Sequence, residues 1–258
     1  MAYTKFVSDE ALQVASDTRD RINGVYVERS QPDGFDIISV TDALDIDEEF
    51  MSIAYKPNEW TLLHRFIKSY LIAEWYYAYR KFDDEFAPYA ESVLNQHNVT
   101  LVKSANENRE YDWYLFEQLK NISGRVAHEA FCILFDDREL MRAFSLLSSK
   151  YICETLKSDY PRYLEKNGQI KRYSNWNQWL RNALIHRENG RCAICKSDLT
   201  GAISLGKKIH IDHIVPISRG GTNDPTNLQV LCEACNLSKG NRNTDTGVLR
   251  HVPWDLNG

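Results

Sequence analysis

Two Cys-x-x-Cys pairs, Cys192 with Cys195 and Cys232 with Cys235, constrain what the last third of this 258-residue chain can become. Each pair sets two thiols on one tight turn, and two such turns can close a tetrahedral four-thiolate zinc site. A site saturated by four thiolates is structural, because no position stays open for a substrate. The 36 residues between Cys195 and Cys232 exceed the spacing of a compact zinc ribbon, so a folded insert must lie between the pairs. The other two cysteines, Cys132 and Cys153, sit in apolar helical surroundings and read as small buried hydrophobes. The N-terminal stretch turns acidic at Asp9-Glu10 and lacks the apolar core of a signal peptide. No apolar run has the length of a membrane span. A cytoplasmic protein without membrane contact is expected, and there paired cysteines are metal ligands rather than disulfides.

Inside the insert, Lys208-Ile209-His210-Ile211-Asp212-His213-Ile214-Val215 alternates polar and apolar residues as a half-buried strand does, and Pro216 stops it. Ser218-Arg219-Gly220-Gly221-Thr222-Asn223-Asp224 has the chemistry of a loop. Leu228 to Leu231 reads as a second strand, and Glu233 to about Gly240 as a short helix carrying Asn236 and Lys239.

On these residues the chain resembles the HNH endonuclease family. Asp212-His213 matches the first motif position and Asn227 the second. Asn236 matches the third, as an Asn in place of the His that names the family. The flanking Gly190-Arg191-Cys192, Ile211-Asp212-His213-Ile214-Val215-Pro216, Asn227-Leu228-Gln229 and Lys239-Gly240 resemble its zinc-containing subgroup. The likeness covers roughly residues 175–245 and implies a ββα-metal nuclease that hydrolyses DNA with Mg²⁺ or Mn²⁺. It makes His213 the general base, a role that suits a neutral imidazole near neutral pH. It gives the divalent ion to Asp212 and Asn236, whose oxygens suit a hard cation. It has Asn227 orient His213 or its loop through hydrogen bonds. Products would carry 5′-phosphate and 3′-hydroxyl ends. His210 shares a strand face with Asp212 and is either a further metal ligand or phosphate contact, or a polar strand residue beside the site. Arg219, Lys239 and Arg242 are candidate nucleic-acid contacts, each with a solvated surface charge as the alternative.

Charge is unevenly divided. Residues 171–258 hold 12 Lys/Arg and 7 Asp/Glu, whereas residues 1–50 hold 4 and 12. The basic end suits a polyanion such as DNA, and the acidic front suits a protein partner or a homo-oligomer. The front is expected to be mainly helical. Ser8 caps a helix to about Ile22; Gln31–Gly34 is a turn; a short strand is expected over 35–40; and Thr41-Asp42 caps a further helix. The longest periodic stretch runs from Trp60 to about Phe82, with its aromatics as bundle core rather than a base-stacking surface. A helix from Asp83 to Gln96 and a polar loop at 104–108 follow. From Tyr111 to about Ser158 come two or three helices, broken near Ser123-Gly124 and Asp136-Asp137. Ser174 caps a last helix to about Glu188, which leads into the first cysteine pair.

The expected organisation is therefore a mainly α domain over residues 1–168, with an interaction, sensing or targeting role, and a small α+β HNH domain over 169–258 with the four-cysteine zinc site. A setting in restriction or anti-phage defence goes with the family. Two other readings compete. One is a zinc-stabilised nucleic-acid-binding module without catalysis. The other rests on Arg181-Asn182-Ala183-Leu184-Ile185-His186, which fits the Arg-Asn-x-x-x-His pattern of HEPN-type ribonucleases and would use Arg181 and His186.

Overall fold

A computed structural model describes residues 7–24, 38–102, 109–201 and 209–247. The expected turn at Gln31–Gly34, residues 35–37 of the strand at 35–40 and the loop at 104–108 lie outside these residues, and Val40 begins a helix instead of ending that strand. The fold is mostly helical, with small two-stranded sheets near the C-terminus. No described helix is long and apolar enough to cross a membrane. The chain forms two compact units, Met1–Asp45 with Leu62–Leu134, and Ile46–Thr61 with Phe135–Gly258.

The helices of the first two-thirds are α1 (Asp9–Ile22), α2 (Val40–Leu44), α3 (Glu48–Tyr55), α4 (Leu62–Lys81), α5 (Phe86–Gln96) and α6 (Arg109–Leu134). All but α3 belong to the first unit, where α4, α1 and α5 pack on α6. The helical stripe expected on α4 is its buried face: Leu63, Phe66, Ile67, Leu71 and Trp75 are all excluded from solvent. The Ser8 hydroxyl caps α1 by accepting from the Ala11 amide at 3.1 Å. Glu10 ties three helices, accepting from Trp75 Nε1 at 2.9 Å and from the Tyr89 hydroxyl at 2.7 Å.

Two local expectations change. The helix anticipated from Thr41 is two helices, because Asp45 takes a left-handed backbone (φ 39°) and Asp47 starts α3 by accepting from the Phe50 amide at 2.7 Å. The break anticipated at Ser123-Gly124 is absent, and α6 runs unbroken for 26 residues. Ser123 is buried and its hydroxyl donates to the Lys120 carbonyl at 2.7 Å, while Leu119, Ile122, Val126 and Ala127 on either side are buried too. Packing of that face outweighs the roughly 1 kcal/mol penalty of a mid-helix glycine.

The second unit adds to α3 the elements α7 (Arg138–Glu154), β1 (Leu164–Lys166), β2 (Gln169–Ile170), α8 (Gln178–Arg187), β3 (His210–His213), β4 (Leu228–Leu231) and α9 (Glu233–Lys239). The boundary expected at residue 168 falls inside this unit. The turn residues there close an antiparallel hairpin of β1 and β2, and the Gly168 amide donates to the Thr155 carbonyl at 2.9 Å. Helix α8 starts three residues later than expected from Asn175, at Gln178. Strands β3 and β4 are antiparallel, pairing His210 with Leu231, Ile211 with Val230, Asp212 with Gln229 and His213 with Leu228. Leu180 and Leu184 of α8, Cys192, Ala193 and Leu199 pack with Leu228, Val230 and Leu231 in one core. Where α8 ends, buried Arg187 donates to the Leu228 carbonyl at 2.5 Å and pairs with buried Glu188, which also meets Arg138 of α7.

Candidate active site

The four sulfurs of Cys192, Cys195, Cys232 and Cys235 all lie within 4.8 Å of one another. Local geometry brings them there. The Ala193 amide donates to the Val230 carbonyl at 2.9 Å, which hangs the first knuckle on β4. Cys232 occupies the N-cap of α9 and accepts from the Cys235 amide at 3.4 Å, which shapes the second. Four clustered thiols fit a tetrahedral soft metal site, with zinc the ion whose chemistry they match.

Asp212, His213 and Asn236 line one cavity of about 510 Å³ together with Arg172, Ile217 and Asn241 among others. Strand β3 delivers the first two and α9 the third. Asp212 Oδ2 accepts from Gln229 Nε2 at 3.1 Å and pairs with Lys239 Nζ at 3.0 Å, so Oδ1 carries neither bond. Asn236 Nδ2 lies 3.4 Å from His210 Nδ1, a contact that leaves the amide oxygen for other work. His213 is 4% exposed, its ring 5.9 Å from that of Trp176. Burial pushes its pKa down to about 4, against the hydrogen bond that it makes to Asn223 and with help from the Arg172 charge. The ring is therefore neutral near pH 7.

The loop between β3 and β4 is polar yet buried. Asn227 Oδ1 accepts from the Val215 amide at 2.7 Å, and its Nδ2 donates to the carbonyls of Val215 at 2.9 Å and Thr222 at 2.8 Å. Of the two partners expected for Asn227, His213 or its loop, its amide bonds the loop. The neighbour of His213 is Asn223, whose Oδ1 is 3.0 Å from His213 Nε2. Gly221 is where the loop closes, since a Cβ there would lie 1.9 Å from the Val215 carbonyl oxygen.

Lys239 is the clear correction among the expected DNA contacts. It is 2% exposed, and its ammonium donates to the His213 carbonyl at 2.7 Å besides pairing with Asp212. Its ammonium is thus turned inward, toward Asp212 and the His213 carbonyl, rather than to solvent. Arg219 and Arg242 are exposed, Arg242 donating to the Ser238 carbonyl at 2.9 Å. Arg181 donates to the Trp176 carbonyl at 3.3 Å and His186 is exposed; neither lines the cavity. Three residues at this site were not anticipated: Asn223, which sits among ordinary turn residues; Gln229, the cross-strand partner of Asp212; and Arg172, an exposed cation from the segment before α8.

Residues 192–242 match the model of the HNH endonuclease family. A stretch of 79 residues is 38% identical to the CRISPR-associated endonuclease Cas9 of Corynebacterium diphtheriae, covering 30% of this chain and 6% of that protein. The chain thus spans a small part of that relative's length. No solved structure matches the chain. Arg172 and the helical first unit lie outside the family match.

Proposed function

We propose that this protein is a metal-dependent HNH endonuclease that hydrolyses phosphodiester bonds in DNA. The observation that carries the reading is the joint placement of Asp212, His213 and Asn236 on one cavity within the stretch that matches the family. The donors fit a hard divalent ion: a carboxylate with one oxygen outside its protein hydrogen bonds, and an amide oxygen. Asp212 and Asn236 would hold Mg²⁺ or Mn²⁺, and His210 is close enough to Asn236 to serve beside it. A bound ion supplies charge stabilisation at the phosphate and at the departing oxygen.

The chain's own residues do the rest. His213, neutral by burial, takes a proton from water as the water oxygen bonds to phosphorus. The bond from phosphorus to the 3′ oxygen breaks, that oxygen gains a proton from solvent, and the products are a 5′-phosphate and a 3′-hydroxyl. Arg172, exposed on the cavity, meets a phosphate oxygen, with Arg219 and Arg242 as outer backbone contacts. Zinc resides in the cysteine site and holds the two ends of the insert together, away from the chemistry. The resemblance to a CRISPR-associated endonuclease supports a restriction or anti-phage setting. The acidic front of the chain, which repels DNA, serves a protein partner or a second copy.

Supercoiled plasmid incubated with the full chain and Mg²⁺ or Mn²⁺ should be nicked or cut, and His213→Ala should abolish this. Full activity in that variant removes His213 from the mechanism. Binding without cleavage by the parent protein, with every metal tried, would favour the non-catalytic module instead.

A further inference from the structure

We infer that Asn223 is a positioning residue that holds His213 as the Nε2–H tautomer, leaving Nδ1 as the atom that accepts the proton from water. The inference rests on the nuclease reading for the word water, and on hydrogen bonds alone for the tautomer.

The amide of Asn223 can point only one way. Its Nδ2 donates to two backbone carbonyls, those of Tyr55 at 2.8 Å and Lys171 at 2.9 Å. A flipped amide would set its oxygen against both carbonyl oxygens and lose two bonds in a residue that is fully buried. Its Oδ1 is thereby committed to accepting. It takes the Tyr173 amide at 3.2 Å and faces His213 Nε2 at 3.0 Å. An acceptor there requires a hydrogen on Nε2, and a neutral imidazole with that hydrogen carries its lone pair on Nδ1. The backbone of Asn223 is anchored as firmly, its amide donating to the Ala54 carbonyl at 2.8 Å.

The source of this frame is informative. Ala54 and Tyr55 are the last residues of α3, whose final carbonyls have no partner within the helix. A helix end that needs donors and a loop that needs fixing satisfy each other. Asn227 then braces the same loop from Val215, so the two asparagines divide the work: one sets the loop, the other sets the ring.

The test is the ring nitrogen spectrum of the full-length, ¹⁵N-labelled protein at pH 7, with the His213 signals identified by their loss in His213→Ala. Long-range proton–nitrogen couplings should show hydrogen on Nε2. Hydrogen on Nδ1 overturns the inference, whatever the activity of any variant. Single-turnover plasmid cleavage by Asn223→Ala should fall about tenfold or more, with DNA affinity held within about twofold, as for loss of an oriented general base. A rate within twofold of the parent, while His213→Ala is inactive, equally overturns it. Should His213→Ala remain active, the nuclease assignment of His213 fails, and the tautomer measurement still decides the part played by Asn223.

Discussion

Replacing Asn227 by alanine separates two roles that the same residue could play. Its amide makes three hydrogen bonds inside the protein, to the Val215 amide at 2.7 Å, the Val215 carbonyl at 2.9 Å and the Thr222 carbonyl at 2.8 Å. Asn227 itself is fully buried, so water reaches these partners poorly after truncation. Each stranded backbone group costs about 1–3 kcal/mol, which puts the loss at about 3–6 kcal/mol once partial relaxation is allowed. For a unit of this size that is about 10–20 °C of melting temperature, and a large part of a typical domain stability of ~5–15 kcal/mol. The measurement is urea and thermal unfolding of Asn227→Ala beside its parent, both carrying His213→Ala so that neither cuts the DNA of its host. Asn227→Asp should fall between, because it keeps the acceptor for the Val215 amide but turns a second oxygen toward two carbonyls. A stability loss below about 1 kcal/mol, together with cleavage abolished by Asn227→Ala in a chain that retains His213, would mean that Asn227 acts on the base after all.

Elemental analysis should find one zinc per chain, and Cys232→Ser or a strong chelator should lower the melting temperature of the second unit; an unchanged melt would deny the metal its structural part. Arg172→Ala should slow cleavage about tenfold to a hundredfold and reduce the salt dependence of DNA binding by about one charge, whereas an unaltered rate and slope would leave Arg172 outside the site. His64 of α4 is buried beside His128, and burial first, then the His128 charge, lowers its pKa from 6.5 to about 3. The unfolded chain therefore binds the extra proton first, so this residue's contribution is complete above about pH 6.5 and declines as pH falls toward 3. Urea midpoints between pH 7 and pH 4 should drop less steeply in His64→Gln than in the parent, and parallel curves would rule out this linkage.

Much of the C-terminal site could be read from the chain because its signals are short-range. The cysteine spacing brings the four sulfurs together, and the alternation around Asp212-His213 marks β3. Leu228–Leu231 is a strand with the expected ends, and Ser8 caps α1 as its position suggests. What escaped depends on partners far along the chain. Lys239, at the end of a short helix before a glycine, looks like a surface charge until Asp212 and the His213 carbonyl are seen around it. Asn223 looks like one more turn residue, since Tyr55 stands 168 residues away. Ser123-Gly124 looks like a helix break because intrinsic propensity cannot register the buried face that overrides it. The division of the chain was hidden for the same reason, as Ile46–Thr61 carries no local mark of membership in the second unit.

That membership has a consequence in time. Segment Ile46–Thr61 is flanked on both sides by segments of the first unit, so the chain enters the second unit, leaves it and returns. During synthesis, Tyr55 emerges 168 residues before the asparagine it must hold. At ~5–20 residues per second, the wait is on the order of 10–30 s. Through that interval the Ala54 and Tyr55 carbonyls lack the Asn223 donors that they accept from in the folded unit. The His213–Asn223 arrangement is completed only after the helical unit's own sequence has been made. A C-terminal fragment beginning at residue 169 would leave α3 behind, and with it the carbonyls that aim Asn223.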